Sequence, residues 1–326
     1  MVQKTLNGGH VAQWPVIGDD IDLGSIGTDS DGSTGPTIDT PEGGLQLGYH
    51  TPGKFIEGRK IKHSERTVRV DDYLVASIDV PFQDLDLAHF DVIRPYATKL
   101  GRSLAIDNDK KIATIAMKAA QNEGVSGVFP GGQLVTGPVQ STTLAGAFAD
   151  SSTGSGNFRD SVAQLAEAFD NDHVPEDGRF LFIPPHIRKI LRHETAIFDR
   201  DFNPNNIAGS LNDRVIGMLE GFKLVVTTHL PSGETYNNYN AYDTNLAKYD
   251  YNCDAGSNTQ QAPAAIALCG ASEGSAAIGM VQAGGVRTVI EDDERRNVKF
   301  MKAQMLVGYD VLSPWCAGAI MFDNQA

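Results

Sequence analysis

Residues 58–74 read GRKIKHSERTVRVDDYL, and this stretch decides how the rest of the chain is interpreted. Its basic side chains are unusually dense for a protein whose formal net charge is -14; they are Arg59, Lys60, Lys62, His63, Arg66 and Arg69. The residues then alternate, with Arg66, Val68 and Val70 on one side of an extended chain, which is typical of a β-strand. The stretch is therefore predicted to be a basic strand on an acidic protein.

The composition bounds the class of protein. With 326 residues and 41% hydrophobic content, the chain can bury one large core or two ordinary ones. Its sequence pI of about 4.9 means that the protein is negatively charged at neutral pH and repels polyanions. A nucleic-acid role would therefore need a local basic face, and only residues 58–74 offer one. No run reaches the roughly 18 apolar residues of a membrane span, and no secretory signal is recognisable. We expect a soluble protein with no membrane role.

The cysteines indicate a reducing compartment. Cys253, Cys269 and Cys316 are an odd number without CxxC spacing, which argues against a disulfide framework or a zinc site. We expect inert thiols in a protein made in the cytoplasm.

Residues 10–18, HVAQWPVIG, are predicted to be the partner strand of the basic strand in residues 58–74. They alternate like a strand, although Pro15 lacks a backbone donor and belongs on an edge or at a bulge. Residues 19–48 are rich in Gly, Asp, Ser, Thr and Pro, which predicts a long loop. The two strands would form an extended arm with this loop at its tip. Because an isolated two-stranded ribbon is marginal in water, such an arm needs a neighbour to lie on.

A long helix is predicted after the arm. Apolar residues recur at three- and four-residue steps from about Arg94 to Gln121, which corresponds to a helix roughly 40 Å long at about 1.5 Å per residue. Asp91 is a candidate N-cap, and Gly124 offers a C-terminal stop.

The remainder of the chain alternates helices and strands, which predicts an α+β fold. The predicted helices are FRDSVAQLAEAFDND and PPHIRKILRH, and the predicted strands are RFLFIPP, GFKLVVTTHL, APAAIALCG, VRTVIEDDE and AGAIMF. VKFMKAQMLVGYDVL is compatible with a strand or a helix. Residues 236–253 hold five of the nine tyrosines and are expected to be an insert outside the core.

No constellation predicts a catalytic residue. GASEG, residues 270–274, satisfies GxSxG, but no histidine lies beyond His229, so Ser272 is expected to occupy a turn. His186 and His193 lack the i, i+4 spacing of zinc proteases.

Metal and nucleotide signals are equally weak. DSDGSTG, residues 29–35, departs from a calcium loop in the position of its glycine. DNDKK, residues 107–111, is expected to be an exposed helix face, and EDDERR, residues 291–296, a charged surface or interface patch. No phosphate-binding glycine motif is present. We therefore expect no metal and no cofactor.

Collinear segments resemble the major capsid proteins of T-seven-like podoviruses. RKIKHSERTVRVDDYL resembles their lysine-isoleucine-lysine-histidine-threonine-glutamate segment, GGHVAQWPVIG their glycine-serine-alanine-glutamine-phenylalanine-proline-valine strand, and YHTPGKF the turn between the two. HFDVIRPYATKLGRSLA resembles the start of their long helix, DHVPEDGRFLFIPPHIRKIL their strand-proline-helix unit, and GFKLVVTTHLP their glycine-phenylalanine strand. The resemblance implies the HK-97-type capsid fold, which is α+β with an extended arm loop, a peripheral domain with a long spine helix, and an axial domain.

The resemblance also implies how the chain is divided. The expected parts are a short amino-terminal remnant at 1–9, an extended arm loop at 10–73 with its tip loop at 19–48, a peripheral domain with the spine helix at 74–124, an axial domain at 125–284 with an insert at 235–262, further peripheral strands at 285–309 and a terminal axial strand at 310–326. The family carries several dozen residues before the first hairpin strand. Here only residues 1–9 precede that strand, so we expect either that the family's amino-terminal arm is lost or that the true start lies upstream.

The function implied is structural, without enzymatic activity. The expected partners are other copies of the chain, in hexamers and pentamers of an icosahedral shell around double-stranded DNA that is not read by sequence. A scaffolding protein, a portal and a decoration protein are further expected partners, and the expected location is the virion capsid, after assembly in the host cytoplasm. The candidates for contact with a neighbouring subunit are Arg59, Lys60, Lys62, His63, Glu65, Arg66 and Trp14.

Other interpretations stay open from the residues alone. A nanocompartment shell of the same fold would enclose a cargo enzyme in place of a genome. A serine hydrolase would use Ser272, and the tyrosine-rich insert could form a glycan-binding module. The basic strand could also be merely solvated, because exposed ion pairs usually contribute little.

Overall fold

The computed structural model describes residues 1–6, 9–17, 63–89, 91–124, 130–136, 154–191, 217–231, 248–251, 263–270 and 276–321. The strands are β1 (Val2–Leu6), β2 (Val11–Ile17), β3 (His63–Arg69), β4 (Asp72–Pro81), β5 (Gln133–Thr136), β6 (Arg179–Ile183), β7 (Met218–Leu219), β8 (Phe222–Val226), β9 (Pro263–Cys269), β10 (Ile278–Ala283), β11 (Arg287–Asp293), β12 (Val298–Val311) and β13 (Ala317–Met321). The helices are α1 (Phe82–Leu87), α2 (Ile93–Ala120), α3 (Gly154–Asn171), α4 (Pro185–Leu191) and a 3₁₀ turn at Pro314–Cys316. Within these ranges, none of the helices has the length and apolar character needed to cross a membrane.

Strands β2 and β3 form an antiparallel ribbon, as the sequence predicts. Val11 pairs with Arg69 at the base, and Pro15 pairs with Glu65 farther out. The proline is tolerated because β2 has no second partner strand in the described part of the chain. The pairing confirms the predicted hairpin, while its tip loop, residues 19–48, lies outside the described residues.

The long strand β12 organises a five-stranded sheet. β4 pairs with residues 298–307, and β10 and β11 pair with different parts of the same strand. The sequence of this segment is compatible with a strand or a helix. It forms a strand because the neighbouring strands satisfy its backbone hydrogen bonds. The residues of β4 alternate between more and less buried positions, which is typical of a half-buried strand.

Two strands of this sheet lie where the sequence did not place them. Ile278–Ala283, β10, pairs with β12, whereas the predicted axial range 125–284 included it. Val2–Leu6, β1, lies parallel to β10, whereas residues 1–9 were expected to be a short amino-terminal remnant. Periodicity marks a segment as a strand but does not specify its partner.

A second, six-stranded sheet has the order β5-β13-β9-β6-β8-β7. Its central strands β9 and β13 are buried along almost their whole length, as expected for strands covered on both faces. Helix α3 packs closely on this sheet: a Cβ added at Gly318 of β13 would lie 2.6 Å from Leu165 Cδ1. The predicted strands and helices of this region are confirmed.

Helix α2 joins the two sheets through one core. Its 28 residues span about 42 Å at about 1.5 Å per residue, close to the predicted range 94–121. The N–H of Ile93 donates to Asp91 Oδ1 at 3.0 Å, although the N-cap residue is Val92, one position later than predicted, and Gly124 takes a φ of +74° after the C-cap residue Gln121. The core residues that α2 contributes beside both sheets are Ile115, Ala116, Met117, Ala119 and Ala120.

Two predictions about burial are wrong. Tyr249 and Tyr251, which were assigned to an insert outside the core, are 0% and 2% exposed. Lys111, which was assigned to an exposed helix face, is 3% exposed. Polar local composition suggested solvent in both cases, whereas partners far along the chain satisfy these polar groups in the interior.

Candidate subunit-assembly site

The structure describes only part of the predicted contact set. The members whose side chains lie outside the described residues are Arg59, Lys60, Lys62 and His63. Glu65 is exposed on β3 and Arg66 is half-buried. The contact role of all these residues stays a prediction.

Trp14 faces its own subunit. The side chain is 4% exposed and packs with Val68 of the ribbon, Val281 of β10 and Leu312. The ammonium of Lys4 lies 4.4 Å from the ring centre, within cation–π distance. The indole therefore holds the ribbon against the five-stranded sheet, which leaves little of its surface for a neighbouring subunit.

The chain passes from β3 into β4 through residues 68–72, which we call the arm root. Its backbone lies directly on β12, since a Cβ added at Gly308 would lie 1.9 Å from the carbonyl oxygen of Arg69. Just beyond β3, the N–H of Val70 donates to the carbonyl of His10 at 2.8 Å, which closes the base of the ribbon. A side chain at position 308 is incompatible with this crossing, so glycine is required there.

Two aspartates of the arm root enter a buried polar network. Asp72 is 4% exposed, and its Oδ2 accepts a hydrogen bond of 2.5 Å from the Lys111 ammonium of α2. Asp71 forms an ion pair with Lys248 and accepts a hydrogen bond of 3.1 Å from the hydroxyl of Tyr249. The network therefore joins the arm root to the spine helix and to residues 248–249.

The same network continues into β12 and along α2. The hydroxyl of Tyr249 accepts a hydrogen bond of 3.2 Å from the N–H of Tyr309, and the hydroxyl of Tyr309 donates to Asn108. The Lys111 ammonium also lies 2.8 Å from Asp107 Oδ2, one helical turn earlier. The network thus connects the arm root to β12, to α2 and to the buried Tyr249.

Burial controls the protonation of these groups. It raises the pKa of Asp72 above the ordinary range, although the Lys111 ammonium acts in the opposite direction. Burial and the nearby Asp71 carboxylate raise the pKa of Tyr249 as well, so its hydroxyl stays neutral and can donate. The protonation of these groups therefore suits a network of fixed hydrogen bonds.

Sequence reasoning missed this network, apart from one signal. The consecutive carboxylates of Asp71 and Asp72 stand near the end of residues 58–74, where a basic strand is followed by an apolar one. Their cationic partners, Lys111 and Lys248, are not marked by any local pattern.

The other predicted features form no site within the residues that the structure describes. Ser272 and His193 lie outside the described residues. Where the structure describes the chain, no group of three or more His, Cys, Asp or Glu side chains is arranged to hold a metal ion. The EDDERR segment is a charged surface: Lys299 lies 3.1 Å from Asp292, and Arg296 lies 3.8 Å from Asp79.

Comparison with known proteins agrees with the resemblance seen in the sequence. The chain is 28% identical over 207 residues to the Major capsid protein of Escherichia phage T7, an alignment that covers 59% of this chain and 55% of that protein. The Minor capsid protein of the same phage aligns with 28% identity over 207 residues, covering 59% of this chain and 48% of that protein. The chain thus spans about half the length of the curated relatives it matches.

Solved capsid structures share the fold. The capsid structure of the Cyanophage P-SCSP1u superimposes with a TM-score of 0.74 at 23% identity, covering 99% of this chain and 86% of that chain. The mature capsid of bacteriophage PhiM1 superimposes with a TM-score of 0.69 at 14% identity, with the same coverage of 99% and 86%. The α+β architecture is therefore the HK-97-type capsid fold. The sequence model of the Gp10A-like family, described as Major capsid protein, matches residues 39–321, and on this match the chain belongs to the Gp10A-like family of major capsid proteins.

Proposed function

We propose that this chain is a structural subunit that assembles with copies of itself into the hexamers and pentamers of a tailed-phage head. The shell encloses double-stranded DNA without reading its sequence, and the subunit has no enzymatic activity. A scaffolding protein and a portal take part during assembly in the host cytoplasm, a decoration protein is a further partner, and the finished subunit resides in the virion capsid. Membership of the major capsid family supports this role.

The proposal assigns the parts of the fold accordingly. The arm is the β2–β3 ribbon with the loop between its strands. The five-stranded sheet with α2 serves as the peripheral domain, and the six-stranded sheet with α3 and α4 serves as the axial domain.

One observation carries the proposal: among the described residues, the β2–β3 ribbon is covered on one face only. In the described part of the chain, β2 and β3 pair only with each other. The other face is exposed along its length, through Val11, Gln13, Pro15, Glu65, Thr67 and Arg69. Because a lone ribbon is marginal and unpaired strand edges favour further pairing, a neighbouring copy that receives the arm would stabilise it. Repeated contacts of this heterologous kind close into rings.

Charge supports the same arrangement. The arm carries the basic segment that contains Arg59, Lys60 and Lys62, whereas the net charge of the chain is -14, so any neighbouring copy offers acidic surface. The negative charge of the whole subunit also disfavours tight binding of the shell wall to packaged DNA.

Electron microscopy tests the proposal directly. We expect the purified, expressed chain to form shells or ring-shaped capsomers in negative stain. A protein that stays monomeric under every condition of salt and concentration would contradict the proposal.

A charge-reversal variant tests the role of the arm. We expect Arg59→Glu, Lys60→Glu and Lys62→Glu together to abolish assembly while the melting temperature of the subunit is retained, because these side chains act between subunits. The matched control is Arg94→Glu, Lys99→Glu and Arg102→Glu, an equal change of charge at exposed positions of α2. Normal shells from the arm variant would refute the proposed contact.

A further inference from the structure

The arm root is held by apolar contacts on one side and by the buried polar network on the other. We propose that Lys111, Lys248 and Tyr249 are positioning residues that set the direction of the arm in the isolated subunit, before a neighbour is present. The inference rests on the proposed function, because the direction of the arm has a consequence only if the arm lies across another copy.

The apolar contacts alone do not set a direction. Trp14 and Val68 bind the base of the ribbon to Val281 and Leu312, but the hydrophobic effect is non-directional. Such a contact constrains the angle of the ribbon less than hydrogen bonds do, and the ammonium of Lys4 donates one to the carbonyl of Gln13 at 3.1 Å, on the ribbon itself and not at the arm root. The close approach of the Arg69 carbonyl to Gly308 fixes how near the arm root lies to β12, and it does not fix the angle at which the ribbon leaves.

The polar contacts supply the missing direction. Asp71 and Asp72 are consecutive, and each is bound by a different cation, Lys248 and Lys111 respectively. Charge-assisted hydrogen bonds demand specific distances and angles. The backbone between β3 and β4 therefore cannot rotate without breaking at least one of the two ion pairs.

Tyr249 couples the two ion pairs. The ammonium groups of Lys111 and Lys248 lie 5.5 Å and 4.8 Å from the centre of its ring. Its hydroxyl donates to Asp71 at 3.1 Å and accepts from the N–H of Tyr309 at 3.2 Å. One fully buried side chain thus connects both cations, the arm root and the long strand β12.

The burial of the Asp72–Lys111 pair explains why the arrangement favours one geometry. The side chains of Lys111 and Asp72 are 4% and 5% exposed. A buried ion pair adds little net stability compared with an apolar contact, yet separation of its members is strongly unfavourable because each charge is left uncompensated. Such a pair selects one arrangement of the arm root more than it stabilises the fold.

The test uses a variant that removes the contacts of Lys248 and Tyr249 with Asp71 and keeps the packing. Lys248→Met together with Tyr249→Phe removes one cation and one hydroxyl, while the aliphatic stem and the buried ring remain. The matched control is Lys302→Met together with Tyr73→Phe, because the Tyr73 hydroxyl donates to Gln304 at 2.6 Å on the exposed face of the sheet, opposite the face on which the neighbouring Asp72 is buried. Amide hydrogen exchange is measured on isolated subunits, and shells are counted by negative stain.

We expect exchange in residues 10–17 and 63–72 to rise about tenfold in the test variant, because loss of a hydrogen bond to a charged group opens the arm root. Exchange in β9 and β13 stays unchanged, the control stays within about twofold of the natural chain, and the test variant forms fewer closed shells. Unchanged exchange in the arm would overturn the inference. A rise that extends equally through β9 and β13 would also overturn it, because Lys248 and Tyr249 would then contribute only to the stability of the whole subunit. Normal shells from a variant whose arm exchange has risen would also overturn it. Failure of the natural chain to assemble contradicts the proposed function instead, and the exchange data still decide whether the network orients the arm.

Discussion

Replacement of Gly308 by alanine tests whether the arm root depends on close contact with β12. The added Cβ would lie 1.9 Å from the carbonyl oxygen of Arg69, 2.8 Å from its carbonyl carbon and 3.1 Å from the Cα of Val70. All three are backbone atoms, so no side chain can rotate to make room. An ordinary contact begins at 3.4 Å, which requires the arm root and β12 to separate by about 1.5 Å.

The size of the effect follows from this displacement. Insertion of one methyl group into a packed site destabilises a protein by about 1–3 kcal/mol when side chains can adjust. Here the backbone must move, and the hydrogen bond from Val70 to His10 adds about 1 kcal/mol if it is lost. We therefore expect the free energy of unfolding to fall by about 3 kcal/mol, which lowers the melting temperature by about 4 °C for a chain of 326 residues.

Thermal unfolding of the isolated subunit measures the change. Gly285→Ala is the matched control, because position 285 has no atom within 4 Å of an added Cβ and no positive φ. Hydrogen exchange should rise in residues 63–72 of the Gly308→Ala variant and not in the control. A Gly308→Ala protein that melts together with the Gly285→Ala protein would refute the close contact on which the arm-root argument depends.

Two further outcomes are expected. Lys111→Met leaves the carboxylates of Asp72 and Asp107 without their shared cation, so we expect a loss of about 3–5 kcal/mol in unfolding free energy near pH 7. Burial raises the pKa of Asp72, so folding favours the protonated form of this carboxyl. The loss of unfolding free energy caused by Lys111→Met should therefore shrink as the pH falls and the carboxyl is neutralised. An equal loss at pH 5 and pH 8 would contradict this reasoning. Burial raises the pKa of the Cys316 thiol to about 12, and Cys269 is buried as well, so both should resist alkylation in the native protein at pH 8 and react after unfolding. Mass spectrometry of the labelled peptides measures this, and rapid native labelling of Cys316 would contradict its burial.

The local patterns of the chain were enough to locate most of its elements. Alternation placed β2 and β3, and spacing by 3.6 residues placed α2 within one residue of its observed ends, because these periods follow from the geometry of each element alone. Pro184 and Pro185 stand where β6 ends and α4 begins, because proline lacks the backbone donor that a strand needs and is tolerated in the first turn of a helix. The basic stretch at residues 58–74 and the collinear segments indicated a capsid arm, and the matching family supports that interpretation.

Only the tertiary structure decided which strands pair and which charges are buried. β10 joined the five-stranded sheet, and the segment at residues 298–311 became a strand because β4, β10 and β11 supply its hydrogen bonds. Lys111 lies in the interior because Asp72, 39 residues earlier, meets it there, and Tyr249 is buried because Asp71 and Tyr309 satisfy its hydroxyl. Sequence periodicity records how each segment divides its side chains between protein and water. It does not record which distant group will compensate a buried charge, and at the arm root that pairing determines the structure.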